Sequence, residues 1–365
     1  MRDAPTPDQF ERALRPMLLD AIEGGATPGA QLALSLRGSP MLHLAVGALD
    51  GSADRPVRDD TSYDLASLTK PLTALTALRL AAAGALALDE PIGALWPGRF
   101  GEAAAALRLD ALLSHRAGLP AWVGAYADVP LADCGTAAAR DMVLDRLGAS
   151  VPSPGGAAVY SDVGYILAGE AIAARAGASI DALVRREVIA PLGLDALHAR
   201  GVGPRWRDAG VAPTERCPWR GRVVQGEVHD ENAYALGGAA GHAGIFGTAV
   251  AVAALGRACL DGLRDGGPWL TRASLAAMTA ARPGGTHRLG WDGVSAEGSS
   301  AGRYFGARAF GHLGFTGTSV WCDPELDVAV ALISNRVHPS RDAVGIRALR
   351  PRVHDAIIEL LRRNE

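Results

Sequence analysis

Val328-Ala-Val-Ala-Leu-Ile333 is apolar at every position, the pattern of a strand buried on both faces. Thr318-Ser-Val-Trp-Cys322, just before it, is a second short β-rich run. The other strand-like segments stand at the opposite end of the chain. Gln31-Leu-Ala-Leu-Ser-Leu36 has leucine at every second position, and Met41 to Val46 follows it across the Arg37-Gly-Ser-Pro40 turn as the second arm of a hairpin. Helix and strands at both ends of the chain, with helices between, suggest one sheet built from the two ends. Everything between them becomes an insertion.

That insertion reads as helical. Leu72, Leu75 and Leu78 recur at helical spacing after Leu68, with Pro71 in the first turn and Gly84 at the end. Further helical segments are expected at Leu109 to Leu113, Asp141 to Leu147, Gly164 to Ala176, Ile180 to Ile189 and Ala249 to Leu263. An amphipathic helix over residues 8 to 24 precedes the first strand, and another, entered through Pro351, closes the chain with Val353, Ile357, Leu360 and Leu361 on one face. The expected class is α/β (α+β). Residues 1–66 and 270–365 form a discontinuous sheet domain with terminal helices, and residues 67–269 form a mainly helical lobe.

A length of 365 residues supports a large core, and 48% hydrophobic with 21% charged residues is ordinary for a globular protein. The net charge of −3 offers no basic surface for nucleic acid. No segment reaches the apolar length of a membrane span, and the N-terminus as given carries no signal peptide, so a cytoplasmic location is the expectation. Cys134, Cys217, Cys259 and Cys322 are scattered without a CxxC pair, which favours reduced packing residues over disulfides or a zinc site.

Among 36 basic residues only Lys70 is a lysine; the other 35 are arginine. Arginine substitutes readily where only charge is required, but its guanidinium keeps its proton, while an amine can release one. Lys70 stands three residues after Ser67, at a helix start, where the two side chains fall on one face within reach of each other. A serine hydroxyl needs such a neighbour to become a nucleophile.

Downstream lie Tyr160-Ser-Asp162 and, on the late strand region, His312-Leu-Gly314. With Ser67-Leu-Thr-Lys70 they stand in the order S-x-x-K, polar triplet, basic-x-Gly. The chain thus resembles the class C β-lactamase and penicillin-binding-protein-like serine hydrolases, a family that includes D-alanyl-D-alanine carboxypeptidases and carboxylesterases. Leu112-Leu-Ser-His-Arg-Ala-Gly-Leu119, Tyr160-Ser-Asp-Val-Gly-Tyr-Ile-Leu167 and Gly238-Ala-Ala-Gly-His-Ala-Gly-Ile-Phe-Gly-Thr248 are similar to further family segments. The resemblance implies a β-lactamase/transpeptidase-like fold with its active site in the cleft between sheet domain and helical lobe. It also implies catalytic roles for Ser67, Lys70 and Tyr160, and an oxyanion site at the backbone N–H groups of Ser67 and Phe315. No cofactor or metal is implied, and the partner is a small-molecule ester, amide or β-lactam.

Three positions depart from the family pattern. Asp162 stands where asparagine is usual, His312 where lysine is common in β-lactamases, and Leu313 where a hydroxyl residue is usual. Asp162 adds negative charge, His312 is expected to be partly protonated near neutral pH, and Leu313 has no hydroxyl for a substrate carboxylate. The expectation is therefore an esterase-like substrate. The alternatives are a D-Ala-D-Ala carboxypeptidase or β-lactamase of the same fold, or a catalytically silent ligand-binding protein. Asp162 also stands to pair with Lys70 and hold it charged, which would pass the role of base to Tyr160.

Other signals carry less. Gly298-Ser-Ser-Ala-Gly302 matches a G-x-S-x-G elbow in a loop context, where that motif has no strand and helix to support it. His229-Asp-Glu-Asn232 and His242 fit no zinc spacing and read as cleft-lining loops. His115 reads as a structural hydrogen-bonder, and Trp122, Tyr126, Trp219, Tyr234 and Trp291 as either pocket wall or core.

Overall fold

The computed structural model describes residues 4–37, 39–151, 158–202 and 210–363. Gly38 of the expected hairpin turn lies outside them. Six antiparallel strands form the main sheet: β1 (Gly29–Leu36), β2 (Leu42–Gly47), β3 (Asp292–Gly293), β4 (Phe310–Leu313), β5 (Ser319–Asp323) and β6 (Val328–Ser334), in the order β2-β1-β6-β5-β4-β3. The strand from the start of the chain and the strand from its end are neighbours, with Leu32 opposite Leu332 and Ala30 opposite Ser334. All seven residues of β6 are buried, as its unbroken apolar run requires.

Two helices cover one face of this sheet. Helix α1 (Pro7–Glu23) begins at a capping box, in which the Thr6 side chain accepts from the Gln9 N–H and the Gln9 side chain returns the bond. Its Phe10, Leu14 and Leu18 pack with Val353, Ile357 and Leu361 of the last helix, Ile346–Arg363, and with Leu32, Val330 and Leu332 of the sheet. Pro351 sits inside that last helix and does not open it. Only one intrahelical bond is lost there, close to the N-terminus, and the buried apolar face holds the helix through it.

The opposite face carries the helical lobe. The nucleophile helix α2 (Thr69–Ala82) follows a short 3₁₀ turn at Ala66–Leu68, so its α-helical start lies just past Ser67. Helix α3 (Asp162–Ala176) is capped by Ser161, whose hydroxyl accepts from the Gly164 N–H at 3.1 Å, and it ends in left-handed Gly177. The expected helix at 180–189 is α-helical only to Val184 and then widens to a π turn over Arg185–Ile189. A small sheet of Tyr63–Asp64, Ile245–Gly247 and His198–Ala199 links the lobe to the strand domain. Among the described residues no helix is long and apolar enough to cross a membrane, and all four cysteines are free thiols.

Helix α4 (Ala249–Asp265), which the sequence reading groups with the lobe, lies directly on the sheet. It is capped by Thr248 and presents small residues, Ala249, Ala253 and Gly256, to the strands. A Cβ at Gly256 would meet Cys322 Sγ at 2.6 Å and Ala329 Cβ at 3.1 Å. Gly256→Ala is therefore expected to lose about 1–3 kcal/mol by overpacking. The measurement is urea unfolding, where the midpoint falls with the slope unchanged.

Candidate active site

The site starts from a strained turn. Ala66 takes a left-handed φ of 48°, unusual for a residue with a side chain, and places Ser67 at the mouth of α2. Buried Asp64 holds this turn: one carboxylate oxygen accepts the Ala66 N–H at 2.8 Å and the other accepts the His229 N–H at 2.6 Å. The hydroxyls of Thr316 and Thr318 donate to the carbonyls of Asp64 and Leu65 at 2.7 and 3.0 Å. Three walls of the cleft are thus joined through residues 64 and 65.

Lys70 has 0% of its surface exposed. Its Nζ donates to Ser67 Oγ at 2.9 Å and to Asp162 Oδ1 at 2.6 Å, and lies 4.8 Å from the centre of the Tyr160 ring. Burial pushes the amine's pKa down, but Asp162 and Tyr160 outweigh it and the net shift is upward. The resting amine is therefore a charged ammonium. Burial raises the Tyr160 phenol, Lys70 opposes the rise without cancelling it, and Asp162 adds to it.

The far wall is β4 and the turn after it. His312 is buried, and its Nδ1–H donates to the Leu313 carbonyl at 2.9 Å, which leaves Nε2 with the lone pair. Burial, and next the charge of Lys70, push its pKa down to about 3. The partly protonated imidazole expected from the sequence is instead neutral, because it is buried and, secondly, because the site already holds a cation. Gly314 is sterically required: a Cβ there would fall 1.9 Å from Thr318 Oγ1 and 2.5 Å from the Leu65 carbonyl. Among the described residues the N–H groups of Ser67 and Phe315 donate to no protein acceptor. The Phe315 ring is 48% exposed, stacks on His229 and lies under Arg336 at 4.7 Å.

Seven of the eight residues singled out from the motifs line one cleft of about 600 Å³, and Lys70 lies beneath it, bonded to Ser67 and Asp162. His229, Asp230, Glu231 and His242 line it too, with His242 Nε2 2.8 Å from Asp230 Oδ1. Trp122 lines the cleft and is 49% exposed, whereas Trp291 and Tyr234 are core residues. Ser300 of the G-x-S-x-G match lies away from the cleft and accepts from the Trp321 indole at 3.2 Å.

Sequence reasoning missed the arginines. Arg336, Arg341, Arg347 and Arg350 line the end of the cleft beyond Phe315. Arg336 donates to the Phe315 carbonyl at 2.9 Å, Arg350 to those of Gly314 and Thr318 at 3.2 and 2.8 Å, and Arg341 pairs with Glu215 and Glu231. Arg347 is exposed and has no ion-pair partner among the described residues. In a chain with 35 arginines no compositional signal could have marked these four.

A family model described as Beta-lactamase matches residues 15–353. A putative D-alanyl-D-alanine carboxypeptidase of Escherichia coli (strain K12) is 30% identical over 319 residues, covering 79% of this chain and 73% of that protein. An N-acetylmuramyl-L-alanine amidase of Bacillus subtilis (strain 168) is 30% identical over 309 residues, covering 76% and 68%. The crystal structure of a penicillin-binding protein homolog from Caulobacter crescentus superposes with a TM-score of 0.73 at 24% identity, over 98% of this chain and 99% of the other.

The buried ion pair sets a stability expectation. Asp162→Ala leaves the Lys70 charge without its counter-ion and costs about 3 kcal/mol at pH 7, the smaller end of such losses because Asp162 is 20% exposed. The raised pKa of Lys70 means that the pair's contribution is present below the unfolded lysine value and fades as pH rises through the folded one. Thermal unfolding of both proteins at pH 7 and near pH 11 checks this, and the gap between them should narrow at the higher pH.

Proposed function

Because the chain belongs to the Beta-lactamase family, we propose that it is a serine hydrolase that opens an ester or neutral amide through an acyl-enzyme on Ser67. The observation that carries this reading is the 2.9 Å contact between Ser67 Oγ and the chain's only lysine amine. Lys70 stays charged beside Asp162, so Tyr160, as its phenolate, takes the Ser67 proton while Oγ attacks the carbonyl carbon. The ammonium near the Tyr160 ring stabilises that phenolate. The tetrahedral oxyanion sits between the N–H groups of Ser67 and Phe315, donors of a kind typically contributing about 3 kcal/mol each to lowering the barrier. The phenol then gives its proton to the leaving oxygen or nitrogen as the carbon–heteroatom bond breaks, and the same phenolate activates water to release the acyl group.

Neutral His312 and hydroxyl-free Leu313 support an uncharged substrate at that wall. A second reading, cleavage of a carboxylate-bearing peptide or amide, is favoured by Arg347, an exposed cation lining the cleft with no ion-pair partner among the described residues. The putative carboxypeptidase among the relatives agrees with that second reading.

Intact-mass spectrometry after exposure to an activated short-chain ester and, separately, to a penicillin separates these readings. Acylation and turnover of the ester, lost in Ser67→Ala, is the expected result; a stable penicillin adduct without ester turnover supports the peptidase. No adduct from either in a folded sample leaves a ligand-binding protein. Arg347→Ala should leave kcat/KM for the neutral ester within about twofold; a tenfold rise in KM confined to carboxylate-bearing substrates would move the assignment to the second reading.

The base assignment has its own signature. kcat/KM should rise with pH as the phenolate forms. Asp162 raises the pKa values of both Lys70 and Tyr160, so Asp162→Asn should carry that rise roughly one pH unit lower. Lys70→Arg, although it keeps the charge, should cut kcat by about 100-fold or more, because the larger guanidinium cannot occupy the fully buried site in the same geometry.

A further inference from the structure

The helix Leu109–Leu113 ends in a Schellman motif: the His115 N–H bonds the Leu112 carbonyl at 3.1 Å and the Arg116 N–H bonds the Ala111 carbonyl at 2.7 Å. The residue at the left-handed position of such a cap is usually glycine. Here it is His115, at φ 59°. A side chain in that conformation carries a steric cost that glycine escapes, so the ring must return something that the cap itself does not need.

What it touches is the segment carrying Tyr160. The residues on either side of Tyr160 both donate to His115: the Val159 N–H to its carbonyl at 3.0 Å, and the Ser161 N–H to its Nδ1, also at 3.0 Å. The imidazole lies against the Tyr160 ring, with centroids 4.6 Å apart. Residue 115 is 4% exposed, and burial holds its imidazole neutral, so Nδ1 keeps the lone pair that the Ser161 N–H requires. The same rail continues past it, where the Ser161 hydroxyl donates to the Pro120 carbonyl at 2.6 Å and the Asp162 N–H to that of Ala121 at 2.8 Å.

We propose that His115 is a positioning residue that clamps Tyr160 over the Lys70 amine by holding the backbone on both sides of it and backing its ring. The left-handed cap turns both acceptors, the carbonyl and Nδ1, towards one strand of chain. This rests on the acyl-enzyme reading for its catalytic meaning, though not for its geometry.

Two variants test it. His115→Gly suits the cap's left-handed position and keeps the helix end, but removes the ring and the Nδ1 acceptor. His115→Asn tolerates the same φ and offers Oδ1 close to where Nδ1 stands. The expected result is a kcat lower by about 50-fold or more in His115→Gly with KM for the short ester within threefold, and recovery to within about tenfold of wild type in His115→Asn. The second readout does not depend on turnover. With one lysine in the chain, ¹³C-lysine labelling gives a single ε-CH₂ resonance, displaced by the adjacent Tyr160 ring. It should move in His115→Gly and stay in His115→Asn. A His115→Gly protein with near-normal kcat, or one that is slow while its lysine resonance stays in place, overturns the clamp. If the wild type turns over no ester yet the resonance moves as expected, the hydrolase reading falls and the clamp stands.

Discussion

The site depends on a single buried charge. A lysine with no exposed surface cannot remain protonated unless an anion lies beside it, and the nearest carboxylate, Asp162, comes from a helix 92 residues further along the chain. Their 2.6 Å contact therefore does two things at once. It ties the start of α3 to α2, and it holds the proton on the amine that touches Ser67. Asparagine at position 162 would satisfy the geometry but not the charge. The distribution of protons in this cleft is thus a consequence of one oxygen in place of one nitrogen.

Much of the fold was legible because its signals were redundant. The unbroken apolar run of β6 demanded neighbours, and the leucine alternation of β1 at the other terminus could supply one; the observed pairing of Leu32 with Leu332 follows from that need. Ser67, Lys70, Tyr160, Asp162, His312, Leu313, Gly314 and Phe315 could be placed in one cleft because their motifs occur in a fixed order, and the structure lines one cavity with them or, for Lys70, bonds it to Ser67 and Asp162 beneath.

What the sequence hid was environment. His312 looked half-charged because a free imidazole is; only the burial and the neighbouring ammonium, invisible along the chain, make it neutral. Pro351 looked like a helix start because a local rule says so, and tertiary packing of Val353, Ile357 and Leu361 overrode it. His115 was legible as a hydrogen-bonding residue but not as the partner of residues 159 and 161, since nothing local says where a ring in a left-handed cap will point. The four arginines at the cleft's end were lost among the other 31.

The neighbourly arrangement of the terminal strands bears on how the molecule is made. As a ribosome delivers the chain, β1 and β2 emerge first, and only their own hairpin bonds are available to them. The partner that covers the inner side of β1 is β6, which leaves the exit tunnel after nearly the whole lobe. Throughout that interval the edge of β1 that β6 later takes is an open strand edge, the kind of surface that recruits other chains. The lobe can bury its own apolar residues in the meantime, but the Gly314 turn, and with it the Phe315 N–H, takes its place only when β4 and β5 have joined the sheet. A competent cleft is therefore among the last parts of the molecule to exist, and synthesis that stops short of β6 leaves a lobe with its serine in place and a sheet without its centre.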